Sequence, residues 1–248
     1  MAITYGGDLA ILLKIPIQAS CAYSLRKIGA YSGSLIKVRR SSDNTEQDIG
    51  ILNGSLDETS LLNFCGSGDG FVSVWYDQSG NARNATQTTT STQPIIVSSG
   101  VIEKKNNRPA IKFTGTQLLS SPTIAFGTTF TVFQRSTTNQ VISELVGAAN
   151  NRGLIAGSSG NSTYWTHDQY AVNGGSLSAN QPNAAVGSTL FQVTGAGLKE
   201  TSRSHQIGFG SPSWESLIGY LPELIIYPTD ISSLRRGIEI NQMRYYGI

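Results

Sequence analysis

Short apolar runs alternate with clusters of Gly, Ser, Asn, Thr and Asp along most of the chain. The clearest run is Phe71-Val72-Ser73-Val74-Trp75-Tyr76, whose aromatic and β-branched residues predict a strand. Strict alternation puts Val72, Val74 and Tyr76 on one side and Phe71, Ser73 and Trp75 on the other. Asp77-Gln78-Ser79-Gly80-Asn81 ends it with turn chemistry, because Asx side chains bond nearby amides and Gly80 accepts positive φ. Asp77 admits two readings: a carboxylate held at a strand end for chemistry, or a cap for backbone N–H groups in the turn. Capping explains the residue with fewer assumptions.

The same reading extends over the chain. Leu35 to Arg40 alternates, with Ile36, Val38 and Arg40 on one face and Lys37 and Arg39 on the other, a strand with one solvated face. Arg39-Arg40 reads as a basic site or, at least as well, as a charged strand end before the Ser41-Ser42-Asp43-Asn44 turn. Gln93 to Val97, Pro109 to Phe113, Tyr164 to Thr166, Gln169 to Val172 and His205 to Phe209 are further strands, and Phe130 to Phe133 is a central one. Leu217 to Pro228 reads as two strand segments around Pro222, with an edge or a bulge at the proline. Ser60 to Cys65 suits a single helical turn. Asp230 is a good N-cap for the only convincing helix, about 231 to 245, with Leu234, Ile238, Asn241 and Tyr245 on one face and Gly247 as a stop. No fixed repeat or long low-complexity linker divides the chain. The pattern predicts an all-β domain with one short C-terminal helix.

Composition narrows the function classes. The 248 residues suffice for a sizeable core without metal or disulfide support. Lys+Arg 18 against Asp+Glu 16 gives no electrostatic case for nucleic acid or an anionic membrane. Cys21 and Cys65 build no disulfide framework, and free, buried thiols are the favoured state. His167 and His205 have no second ligand at metal spacing, so no metal site and no cofactor are expected. Ala10-Ile11-Leu12-Leu13 is too short for a membrane span and lacks signal-peptide flanks, so a chain made in the cytoplasm is expected. Residues 1–20 form an apolar N-terminal arm that either adds a strand or docks on a partner, and 21–248 form the domain.

Three stretches carry a resemblance: Ala22-Tyr23-Ser24-Leu25-Arg26, Val38-Arg39-Arg40-Ser41-Ser42-Asp43-Asn44, and Trp75-Tyr76-Asp77-Gln78-Ser79-Gly80-Asn81. Over residues 21 to 115 the chain resembles the catalytic domain of family-54 α-L-arabinofuranosidases, which implies a concanavalin-like β-sandwich, or jelly roll. The tail, from Gly219 to Pro228 and on to Ile248, is similar to the ends of laminin-G and concanavalin-like domains, including those of bacteriophage virion proteins. The resemblance implies a nucleophilic Glu and an acid/base Asp. Gln169 to Leu177, which matches the first region, has no carboxylate, and Ile207-Gly208-Phe209-Gly210-Ser211 has none at the second. Asp168 and Glu215 lie nearby.

Bond cleavage requires two carboxylates, so the expectation is a non-enzymatic phage virion component, of capsid or tail, with no catalytic residues. It would join other virion proteins through the arm and form a homo-oligomer. Its outer domain would be lectin-like and bind host-surface glycans through Tyr164, Trp165, Asp168, Tyr170 and Trp214, because aromatic faces beside polar side chains suit sugar stacking. Each aromatic also reads as a core or loop anchor, the commoner place for a large aromatic. The alternative is a glycoside hydrolase of the arabinofuranosidase type.

Overall fold

A computed structural model describes residues 17–136, 140–145, 153–156, 168–179, 189–197, 203–208 and 216–248. In chain order the first elements are β1 (Cys21–Ser24), β2 (Ile36–Arg40), β3 (Glu46–Ile49), β4 (Ile51–Leu52), β5 (Ser55–Leu56), α1 (Glu58–Cys65) and β6 (Gly70–Trp75). Next come β7 (Ala85–Thr86), β8 (Ile95–Ser98), β9 (Val101–Ile102), β10 (Lys104–Lys105), β11 (Arg108–Pro109), β12 (Ile111–Thr114), β13 (Leu119–Ile124) and β14 (Thr128–Arg135). The last are β15 (Gln140–Leu145), β16 (Gly153–Ala156), β17 (Gln169–Val172), β18 (Phe191–Ala196), β19 (Arg203–Ile207), β20 (Ile218–Tyr227) and α2 (Arg235–Tyr246).

The strands form one sheet that curls into two facing leaves, a β-sandwich of the jelly-roll type. One leaf runs β17-β18-β14-β20, and the other runs β16-β15-β19-β13-β7-β6, with β2 and β3 beyond β6. β8 and β12 join them. The leaves meet where Tyr23 of β1 lies 5.6 Å from Trp75 of β6 and donates toward or accepts from Ser121 of β13 at 2.8 Å. Leu35, Ile36, Val72, Trp75, Phe113, Phe133, Leu221, Leu224 and Ile226 fill the space between them. Both cysteines are free and buried.

The predicted β6 is present, but its faces are not those of strict alternation. Val72 and Trp75 both enter the core, whereas Phe71 and Val74 are half-buried. The register against β2 shifts between Lys37 and Val38, so Lys37 faces Val74 while Val38 faces Val72, and Ser73 is the extra residue of a bulge. The proline-containing segment is likewise one strand, not two. β20 pairs with β14 along one side, while its other side passes from β12 (Ile111 opposite Leu221) to β1 (Ser24 opposite Glu223) at Pro222. The register on β14 shifts there as well, which lets a central strand carry a residue with no N–H.

The helices also differ from expectation. α1 is eight residues long, with Asp57 accepting from the Ser60 amide as its N-cap. The C-terminal helix starts later than 231: Ser232–Leu234 is a 3-10 turn, and Asp230 accepts from the Ser232 amide ahead of it. α2 then ends at Gly247 with φ 67°, the left-handed stop its sequence predicts. Ile238 packs with Phe130 and Ile225, and Tyr246 packs with Val132 and Leu190, so α2 covers the outer face of the β18-β14-β20 leaf.

Residues 1–16 of the predicted arm lie outside the described residues. Ile17 packs on the Phe130–Ile225 cluster, Gln18 donates to the Ser79 carbonyl at 2.7 Å, and the Ser20 amide donates to the Ile226 carbonyl at 2.7 Å.

Candidate functional site

The turn after β6 is a structural hub. Asp77 Oδ1 accepts from the Ala22 amide at 2.8 Å and the Ser79 amide at 2.9 Å, and Oδ2 accepts from Ser79 Oγ at 2.8 Å and the Arg83 amide at 3.0 Å. Gln78 Nε2 donates to the Ser24 and Arg26 carbonyls, and its Oε1 accepts from the Ile28 amide at 2.8 Å. All of these bonds except that from the Ser79 hydroxyl are made to main-chain N–H or C=O groups. The Asp77 carboxylate is therefore a cap, not a reactive group. The Arg39-Arg40 pair is equally engaged. Arg39 is buried over the Phe71 ring and donates to Gln93 and Asn44, and Arg40 pairs with Asp43 and covers Phe64. The face of β2 expected to be solvated thus buries Arg39 against an aromatic ring.

A second polar layer lies between α2 and the outer face of its leaf. Glu223, wholly buried, accepts from Arg26 Nε at 2.7 Å and Nη2 at 3.0 Å, Ser24 Oγ at 2.8 Å, Gln242 Nε2 at 3.0 Å and Tyr246 OH at 3.2 Å. Burial alone would raise its carboxyl, but the Arg26 guanidinium and these donors outweigh it and hold it below the ordinary carboxylate value. Arg26 in turn lies 4.7 Å from the centre of the Tyr245 ring. Glu239, also wholly buried, accepts from Thr194 Oγ1 at 2.6 Å, Arg235 at 2.5 Å and Arg236 at 3.4 Å. Arg235 also donates to the Gly175 carbonyl at 2.8 Å, which ties the turn after β17 to α2. These two carboxylates are saturated with donors and closed to a substrate.

Of the residues predicted to meet a glycan, Tyr164, Trp165 and Trp214 lie outside the described residues, as does Glu215. Tyr170 requires a correction: its side chain is 3% exposed and belongs to the inter-leaf core, so it offers no ring face to a sugar. β17 is an edge strand, and its inward positions are covered by the other leaf. Asp168 is exposed at the start of that strand, where its amide donates to the Ala196 carbonyl at 3.0 Å. Gly197, at φ 92°, crosses beside it, and a Cβ there would come within 2.9 Å of Asp168 Cβ. The close approach therefore requires glycine.

Glu103 is a further carboxylate that sequence reasoning passed over. It accepts from Ser98 Oγ at 2.6 Å, Lys112 Nζ at 2.9 Å and Tyr220 OH at 2.9 Å. Partial burial works against its ionisation, and those three donors prevail and keep its carboxyl below the usual value. Its partners come from β8, β12 and β20, so no local spacing announces it. Among the described residues, no three His, Cys, Asp or Glu side chains gather as a metal site, and no helix is long and apolar enough to cross a membrane.

Comparison with known proteins adds the decisive information. The family model described as Alpha-L-arabinofuranosidase B, catalytic, matches residues 14–164. No curated protein sequence matches the chain. Among solved structures, a GH54 α-L-arabinofuranosidase soaked with a cyclic sulfate inhibitor superposes with a TM-score of 0.66 at 14% identity, covering 95% of this chain and 64% of that one. A mutant GH54 α-L-arabinofuranosidase soaked with 4-nitrophenyl α-L-arabinofuranoside gives 0.64 at 16% identity over the same shares. An arabinofuranosidase complexed with arabinofuranosyl-α-1,2-xylobiose gives 0.62 at 15% identity, again over 95% and 64%. The present chain thus spans 64% of the length of these enzymes.

The expectation of a non-enzymatic virion component is corrected by these findings. The family model is that of a catalytic domain, and the matched structures are glycosidases. Nothing in them supports capsid, tail or other phage assignments. The two stretches without carboxylates, residues 169–177 and 207–211, lie outside the matched residues 14–164.

Proposed function

The chain belongs to the family of the arabinofuranosidase B catalytic domain, and from that premise we propose that it is a glycoside hydrolase acting on α-L-arabinofuranosides. The observation that carries the reading is the family match over residues 14–164, in a chain whose fold superposes on arabinofuranosidases over 95% of its length. Hydrolysis requires two carboxyl groups, about 5–5.5 Å apart for retention or 6.5–9.5 Å for inversion. The positions that resemble the family's nucleophile and acid/base regions carry no acid here, so this chain must place its carboxylates elsewhere. Asp168, exposed and immediately before β17, is the acid beside the first of those regions. Glu215 stands beside the second in sequence.

The test is release of 4-nitrophenol from 4-nitrophenyl α-L-arabinofuranoside by the folded protein. The expected result is turnover that falls by about 10²–10⁴-fold in Asp168→Asn, the usual loss of an acid–base group, with an unchanged melting temperature. A folded wild type without turnover overturns the activity. Turnover undiminished in Asp168→Asn overturns the assignment of that residue and leaves the activity standing.

A further inference from the structure

Among the buried side-chain oxygens without a donor, two belong to glutamines on facing elements of the seam between α2 and its leaf. Gln192 and Gln242 are wholly buried, and the Oε1 atom of each lacks a hydrogen-bond donor. Their amide orientations are dictated by the groups beside them. Gln242 must turn Nε2 toward the Glu223 carboxylate, which only accepts. Thr194 gives its hydroxyl proton to Glu239, so its oxygen accepts from Gln192 Nε2 at 3.0 Å. Flipping either amide would set an oxygen against an acceptor. Both orphans are therefore acceptors, and what completes them must donate.

The register of helix against strand brings the two together. Thr194 bonds to Glu239, and Leu190 packs with Tyr246, so α2 and β18 run in opposite directions along each other. Gln192 lies between Thr194 of β18 and Leu190 just before that strand, and Gln242 lies between Glu239 and Tyr246 on α2. Across the leaf, Gln192 is opposite Val132, which is opposite Glu223, the partner of Gln242. Gln192 and Gln242 thus lie at the same level of the seam.

We propose that Gln192 and Gln242 form a binding site for a single buried water molecule, which donates one hydrogen bond to each Oε1 and pins α2 to β18. Two unmet acceptors match the two O–H donors of water, and buried waters settle at polar sites of this kind. The charge balance selects water over a cation. Glu223 is matched by Arg26, and Glu239 by Arg235 and Arg236, so no uncompensated negative charge remains to draw an ion.

A high-resolution crystal structure of the full chain tests the site directly, with a density peak expected about 2.5–3.0 Å from both oxygens. Absence of a peak overturns the proposal. So does an anomalous signal there after a thallium soak, which would identify a monovalent cation. The second measurement is a double-mutant cycle with Gln192→Met, Gln242→Met and their combination. Loss of one shared water makes the second substitution cheaper, so the fall in Tm of the double variant should be smaller than the sum of the single falls by about 2–4 °C. Strictly additive losses overturn sharing. If the double variant does not fold, the wild-type density decides alone.

Discussion

Acidification should weaken this protein through His205. The imidazole is wholly buried on β19, edge-on to Phe126 at 5.5 Å and 6.5 Å from Tyr23, and neither ring nitrogen has a hydrogen-bond partner. Burial, with no compensating carboxylate, pushes its pKa down from 6.5 to about 3. The unfolded chain takes up the proton near 6.5 and the native state near 3, so between those values the unfolded state holds more protons. Stability is therefore complete above pH 6.5 and falls as pH drops, by about 1.4 kcal/mol per pH unit. From pH 6.5 to 5 the loss is about 2 kcal/mol, and by pH 3 it reaches about 5 kcal/mol, comparable with the whole net stability of many domains. The assay is urea unfolding of wild type and His205→Gln at pH 7, 6 and 5. Subtracting the two curves cancels every titration they share. The free-energy difference should move by about 2 kcal/mol in favour of the variant between pH 7 and 5. A difference that stays constant over that range would refute the reasoning.

Three further outcomes follow from the buried polar groups and one crowded glycine. Arg26→Met leaves Glu223 charged and buried without its cation and should cost about 3–5 kcal/mol in denaturant unfolding. Asp77→Ala strips the acceptor from the Ala22, Ser79 and Arg83 amides. It should cost at least about 1–3 kcal/mol while leaving the far-ultraviolet spectrum of the folded protein unchanged. Gly208→Ala combines φ 83° with a Cβ that would stand 2.3 Å from the Phe113 ring. Its thermal midpoint should fall by more than that of Gly50→Ala, whose Cβ meets nothing within 4 Å.

Features under local control are legible in the chain. Aromatic and β-branched runs marked β6 and β14, Asp77 and Gly80 marked the turn, and Gly247 marked the end of α2, because each signal acts within a few residues. The resemblance in Ala22–Arg26 and Trp75–Asn81 was legible for the same reason, and the structure shows why those stretches go together: Asp77 and Gln78 hold the main chain of residues 22 to 28. Which side chains face inward depends instead on long-range pairing. The bulge at Ser73 reversed part of β6, the handover from β12 to β1 made Pro222 compatible with a central strand, and the facing leaf buried Tyr170. The same holds for the carboxylates. Glu223, Glu239 and Glu103 look like ordinary acids in the chain, yet their donors include Ser24 of β1, Thr194 of β18, Gln242 of α2, Lys112 of β12 and Tyr220 of β20. Partners that distant in sequence leave no periodic trace, so whether an acid is a buried anchor or an exposed residue such as Asp168 is settled by which strands the fold brings alongside it.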